Sequence, residues 1–263
     1  MITSILLAIG LAATPIHEQN TTEITHYLEQ LQTDNLSFQE RMRRVVDDSL
    51  GTLYDGGPLG EGPDGKYDAD PLVDLKKVDC VTFVEQTVAL SVASDYEGMV
   101  DVLQTYRYKD GDIGYETRNH FMITDWVRNN PFCKDITESL GVDTKTVTRT
   151  ISRKDFFELV KAPDVGQDTA DEVVALPIVP SASTAASEKK LPDTALIVFV
   201  GKVDWLFSLH CGLYLRDETG EGHLIHASSK SGEVVKMSFP DYVKSQGDRY
   251  IGFTAYEVLE PEE

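Results

Sequence analysis

Residues 78–90 read Val78-Asp79-Cys80-Val81-Thr82-Phe83-Val84-Glu85-Gln86-Thr87-Val88-Ala89-Leu90. The pattern predicts a helix with a cysteine in its first turn. Asp79 suits the N-cap, because its carboxylate can accept from the free N–H groups one turn in. Val81, Val84, Val88 and Val92 keep helical spacing, and Phe83, Ala89 and Leu90 widen the stripe until the helix is buried on most sides. Valine and threonine are mediocre helix formers, so packing must hold this segment. A thiol at a helix N-terminus sits where the backbone dipole favours an anion, which makes the thiolate available. Cys80 reads also as a buried core cysteine, since free cysteines are often buried. The rest of the chain weighs on that choice.

Downstream, strands are predicted at 195–200, 209–216, 223–227, 233–237 and 250–258. The second chemically rich stretch is Ser208-Leu209-His210-Cys211-Gly212-Leu213-Tyr214-Leu215-Arg216, followed by a turn and Glu221-Gly222-His223-Leu224-Ile225-His226-Ala227-Ser228-Ser229. Alternation puts Leu209, Cys211, Leu213 and Leu215 on one face, with His210, Gly212 and Tyr214 on the other. A hairpin centred near Thr219 places Gly212 opposite His226. His210 is then diagonal to His226 on the same face, roughly 7 Å away between Cα atoms. Gly212 leaves room beside both rings. A thiol, an imidazole and a polar group that orients the imidazole form a nucleophilic set. His210 would take the Cys80 proton and later protonate a leaving amine. His226 would hold the far nitrogen of His210 and fix its tautomer. Amides at the start of the Cys80 helix would face the oxyanion.

Upstream, residues 20–32 predict a helix with Ile24, Tyr27, Leu28 and Leu31 on one face. Ser37-Phe38-Gln39-Glu40 is a capping box for a second helix, with Gly51 as a stop. Residues 51–70 are Gly-, Pro- and Asp-rich loop. Asp95 caps a further helix bearing Met99, Val102, Leu103 and Tyr106. Residues 109–112 are a turn, and Tyr115 to Asn130 reads as helix, or helix and loop, closed by Pro131. Lys145 to Ile151 reads as a short strand. Residues 161–193, with four prolines among Ser, Ala and Thr, read as a loop insertion. Helices first and an antiparallel strand run afterwards predict an α+β fold. Residues 20–263 form a single domain, helical over 20–70, with the core over 71–263.

The 263 residues carry a formal net charge of −20, which leaves no basic field for nucleic acid and disfavours docking on anionic membranes. The cysteines are three, Cys80, Cys133 and Cys211, an odd count that describes no disulfide framework. Ile2 to Ala13 is almost wholly apolar and too short to span a bilayer. With Gly10-Leu11-Ala12 at cleavage spacing, residues 1–12 read as a secretory signal, although no Lys or Arg precedes the apolar run. The expected location is periplasmic or secreted.

The order of cysteine on a helix, histidine on a strand and a polar third residue on the next strand resembles the NlpC-type papain-like cell-wall hydrolases. Gly51-Thr52-Leu53-Tyr54, the segment 72–85, Arg118-Asn119-His120-Phe121 with Asp125-Trp126, His210-Cys211-Gly212 and His226-Ala227-Ser228-Ser229 resemble its N-acetylmuramoyl-L-alanine amidase-like branch. The likeness spans roughly 38–258. It implies a papain-like core with the nucleophile helix packed on an antiparallel sheet. It implies peptidoglycan or muropeptide fragments as substrate and Cys80, His210 and His226 as the catalytic set, with Tyr54 near the site. Asp193-Thr194-Ala195 and Leu209 depart from the family pattern, and the 161–193 stretch is enlarged.

Arg118 and His120 have two readings. One is a structural ion pair and a packed histidine. The other, which the resemblance favours, is recognition of substrate carboxylates by Arg118 with stacking on Trp126. No metal or cofactor is expected, because His223 and His226 face opposite sides of a strand. The leading function is hydrolysis of the N-acetylmuramoyl–L-alanine amide. The alternatives are a stem-peptide endopeptidase using the same triad and a non-catalytic wall-binding module.

Overall fold

The computed structural model describes residues 14–261, so the apolar segment 1–12 read as a signal lies outside the described residues. Among the described residues no helix is long and apolar enough to cross a membrane.

The N-terminal part is α1 (Thr21–Thr33) and α2 (Phe38–Asp48), both opened by capping boxes. Asn20 accepts from the Thr22 and Glu23 amides while Glu23 returns to the Asn20 N–H, and Ser37 and Glu40 repeat the exchange. Short strands β1 (Leu53–Tyr54) and β2 (Lys77–Val78) pair in parallel and lead into α3 (Cys80–Val92) and α4 (Tyr96–Arg107). Helix α3 is buried from Thr82 to Ser91. Thr87 and Ser91 satisfy their hydroxyls on the carbonyls of Phe83 and Thr87, each at 2.7 Å. Burying Phe83, Val84, Val88 and Leu90 at about 1.5–3 kcal/mol each outweighs the weak helix propensity of the segment.

Residues 115–130 follow the helix-and-loop alternative rather than the continuous helix. Arg118 bridges Tyr108 in extended conformation, and only a π turn at Met122–Trp126 and the short α5 (Val127–Asn129) coil. Polar side chains here bind backbone instead of letting the backbone bind itself. Asn119 and Asn130 both donate to the Tyr106 carbonyl, at 2.9 and 3.1 Å.

Next come β3 (Cys133–Asp135), β4 (Lys145–Ile151) and α6 (Arg153–Leu159). The 161–193 stretch is not the loop insertion its prolines suggested. It contains β5 (Glu172–Pro180), which pairs with β4 over Lys145 to Ile151, and α7 (Thr184–Glu188). Proline is tolerated in a strand where its nitrogen faces an open edge, and β10 (Tyr250–Val258) meets β5 only at Val179 and Pro180. Val173, Val174, Leu176 and Ile178 supply ordinary strand chemistry around Pro177.

The strands expected after residue 193 are β6 (Thr194–Gly201), β7 (Ser208–Arg216), β8 (Gly222–Ser228), β9 (Glu233–Ser238) and β10, with α8 (Phe239–Ser245) before the last. The sheet runs β2-β1-β9-β8-β7-β6-β10-β5-β4, with β3 also on β10, and is antiparallel except at β1–β2. The fold is α+β. Helices α1 to α4 cover one face over a core that includes Leu196, Val198, Cys211, Leu213 and Ile225. Helix α8 covers part of the other over Ile197, Phe199, Tyr214 and Phe253. Alternation on β7 breaks at Leu209: the β6–β7 register shifts between Phe199 and Val200, and Leu209 packs with the second core.

Candidate active site

Cys80 is the first residue of α3, and Asp79 fixes that end. One Asp79 carboxylate oxygen accepts from Val81 and Thr82 N–H at 3.0 and 2.8 Å, and the other accepts from Gly57 N–H at 3.2 Å. Two of the three leading amides of α3 are therefore occupied, which leaves the Cys80 N–H itself.

The hairpin pairs Leu213 with Ile225, as expected for a turn centred at Thr219. A Cβ at Gly212 would come within 2.9 Å of the His226 Cβ and 2.8 Å of the Ile225 carbonyl, so only glycine fits beside the rings. His210 Nε2 and His226 Nδ1 lie 2.8 Å apart, with ring planes at 87°. Phe199 stacks on His210, and Tyr242 caps His226 at 4.7 Å between centroids. The His210 ring is also near enough to the Cys80 thiol to lower its pKa.

The electrostatics are uneven. The Cys80 thiol is held well below the ordinary thiol range, first by a hydrogen bond from the Cys211 side chain and then by His210, against burial that pushes it up. The Cys211 thiol is pushed well up, by that same bond, by burial and by the charge of Cys80. Burial, with the charge of His210, lowers His226 to about 3, so its ring is neutral and its Nδ1 can accept from His210 Nε2–H. Tyr54 is raised by burial and by the charges of Cys80 and Asp79. All three cysteines are free thiols. His210, His226, Ser228, Tyr242 and Arg249 line a cavity of about 230 Å³.

Arg118, His120 and Trp126 sit apart from this cavity. Arg118 donates from Nε to Glu61 at 2.7 Å and from Nη2 to Asp68 at 2.9 Å, and its guanidinium lies over Tyr115. It is an internal ion pair, the reading the resemblance had disfavoured. The His120 ring bonds the Tyr115 carbonyl at 2.7 Å, packs against Phe156 and Phe157, and is lowered to about 4 by burial. Trp126 is 0% exposed and packs edge-on against Phe132, so no sugar can stack on it. The reading from sequence did not single out Cys211, whose buried Sγ lies 3.0 Å from the Cys80 carbonyl oxygen.

Near the hairpin tip, Asp217, Glu221 and His223 bring their ligand atoms within 4.8 Å of one another. The Asp217 carboxylate is already engaged there by the Thr219 and Glu221 amides and by the His223 ring.

A model of the AmiA-like family, described as N-acetylmuramoyl-L-alanine amidase-like, matches residues 44–250. The chain belongs to this family. The amidase-like family falls within the papain-like cysteine-hydrolase superfamily. Solved structures share the amidase-like fold. A protein of Legionella pneumophila str. Philadelphia 1 superposes with a TM-score of 0.84 at 24% identity, over 94% of this chain and 97% of its own. An N-acetylmuramoyl-L-alanine amidase from Bacteroides uniformis superposes with a TM-score of 0.63 at 22% identity, over 83% of this chain and 98% of its own. No curated protein matches the chain.

Proposed function

We propose that the protein is an exported cysteine hydrolase that cleaves the N-acetylmuramoyl–L-alanine amide of peptidoglycan or its fragments. The observation that carries this is the Cys80 sulfur at a capped helix N-terminus, beside an imidazole that a second, neutral imidazole holds at 2.8 Å. The family description supplies the substrate class, and the apolar residues 2–13 supply the argument for export.

In this mechanism the Cys80 thiolate attacks the lactyl carbonyl carbon. The oxyanion faces the Cys80 N–H, because Asp79 already holds the Val81 and Thr82 amides. Protonated His210 gives its Nδ1 proton to the amine of L-alanine as the C–N bond breaks, which leaves a thioester on Cys80. His210 then takes a proton from water, whose oxygen attacks the thioester. The muramic acid carboxylate leaves and Cys80 returns as thiolate. His226 accepts from His210 Nε2–H throughout and fixes which nitrogen faces the sulfur.

Mass spectrometry of the products from a purified muropeptide tests this reading. The expected product is the intact stem peptide with L-alanine at a new amino terminus. A product retaining L-alanine and D-glutamate on the sugar would replace it with the endopeptidase reading.

A further inference from the structure

We propose that Arg249 is a specificity-determining residue of the same site: its guanidinium holds the free α-carboxylate of the D-glutamate that follows L-alanine in the departing stem. The inference rests on the amidase reading of Cys80 and its two histidines.

Charge is distributed unevenly over this molecule. The chain holds 44 Asp and Glu against 24 Lys and Arg. Yet the cavity of about 230 Å³ against His210 and His226 is lined by Arg249 and Lys230, and by no Asp or Glu among the described residues. A larger cavity, about 520 Å³, has the opposite lining: Glu61, Asp64, Asp112, Glu116 and Asp164 surround Lys66. Other arginines are spent inside the fold. Arg107 holds Glu85, Arg118 holds Glu61 and Asp68, Arg153 holds Asp125, and Arg216 holds Glu188 and Asp193. Arg249 has no carboxylate partner among the described residues, and its neighbour Asp248 turns instead to Lys202 at 2.7 Å.

Arg249 is placed by its backbone and by a ring. Its N–H donates to the Gln246 carbonyl at 3.1 Å, in the turn that joins α8 to β10. Its guanidinium carbon lies over the Tyr250 ring, 5.2 Å from the centroid. Tyr250 stacks on Phe199 with centroids 4.9 Å apart, and Phe199 stacks on His210, so a run of rings ties the guanidinium to the imidazole. The planar fork of arginine offers paired donors to a carboxylate, which an ammonium does not. Lys230, from the turn between β8 and β9, adds positive charge to the same cavity. Because His210 protonates the leaving amine, the departing peptide lies on the imidazole side, against this cavity. The first carboxylate in that peptide is the α-carboxylate of D-glutamate, about 7 Å of chain from the scissile nitrogen. An α-carboxamide has nearly the same shape but no charge, and it turns a donor toward the fork where the carboxylate presents an acceptor.

Two muropeptides with the same tripeptide stem test this, one with the free α-carboxylate on D-glutamate and one with the α-carboxamide. Stem release, followed by chromatography, gives kcat/KM for each. The wild-type protein should favour the acid about tenfold, the usual worth of a hydrogen-bonded charge pair. Arg249→Gln should bring the acid-to-amide ratio close to one. Arg249→Lys keeps the charge and loses the fork, so its ratio should fall between the two. A loss of folded protein lowers both rates alike and cancels in the ratio. A wild-type ratio of one overturns the proposal, and so does an Arg249→Gln ratio that stays at the wild-type value. Release of no stem from either muropeptide by the wild-type protein is a separate failure, that of the amidase reading on which the proposal rests.

Discussion

Two regions of this protein are dense in residues that perform chemistry elsewhere, and they differ in how those residues are partnered. Around Cys80 the polar groups stop short of satisfying one another. His210 bridges a sulfur and a neutral imidazole, and His226 Nε2 is buried with no partner among the described residues. A cavity opens against both rings. Around Arg118 the cation and the imidazole are partnered inside the fold, although Trp126 Nε1 and Glu61 Oε2 are buried with no partner among the described residues. The guanidinium holds Glu61 and Asp68, His120 holds a carbonyl, and Trp126 is sealed in the core. A run of cation, amide, imidazole and indole within nine residues therefore signals little by itself. What distinguishes the two regions is the kind of partner: Arg118 is held by two carboxylates and His120 by a backbone carbonyl, whereas His210 is held by a second imidazole.

The sharpest way to break this contrast is mutation on both sides of it. Cys80→Ala should lower amide hydrolysis by about ten-thousandfold or more, and His210→Ala nearly as much, because members of a nucleophilic set act as a unit. Both variants should unfold at the wild-type temperature within a few degrees. Retained hydrolysis in Cys80→Ala would end the assignment. His226→Ala should cost less, roughly a hundredfold, since water can take the place of an orienting group. His226→Asn should recover part of the loss.

The opposite pattern is expected at Arg118. Arg118→Ala leaves Glu61 and Asp68 without their cation in a largely buried place. It should cost about 2–3 kcal/mol in urea unfolding while kcat/KM per folded molecule stays close to wild type. A stable variant with impaired turnover would return Arg118 to the substrate.

A further effect is on stability against pH. His226 and His120 are lowered to about 3 and about 4 by burial, whereas an unfolded histidine titrates near 6.5. As pH falls, the unfolded chain takes up these protons first. Their contribution is complete above about pH 6.5 and drains away toward pH 4 and then 3. The urea midpoint should fall progressively over that window, and His120→Gln should make the slope shallower. A midpoint that is flat from pH 7 to 4 would contradict the burial of these rings.

Much of this was legible in the sequence because it depends on local rules. Asp79, Ser37 and Asp95 announce helix starts, and alternation with a turn at Thr219 fixes the register that brings His210 to His226. The failures came where tertiary partners decide. Pro177 disguised β5, because a proline is harmless only if the neighbouring strand stops short, and sequence does not show where β10 ends. The bulge at Leu209 inverted a side chain that strict alternation had placed. Arg118 looked free because Glu61 and Asp68 lie some fifty residues away in sequence and adjacent in space.

The central claim is that Cys80 carries the acyl group. Wild-type protein mixed with a purified muropeptide, quenched in acid within the first turnovers and digested with pepsin should yield the Cys80 peptide bearing an N-acetylmuramoyl thioester. Turnover with no adduct on Cys80 at any quench time, or with the adduct on another residue, would contradict it.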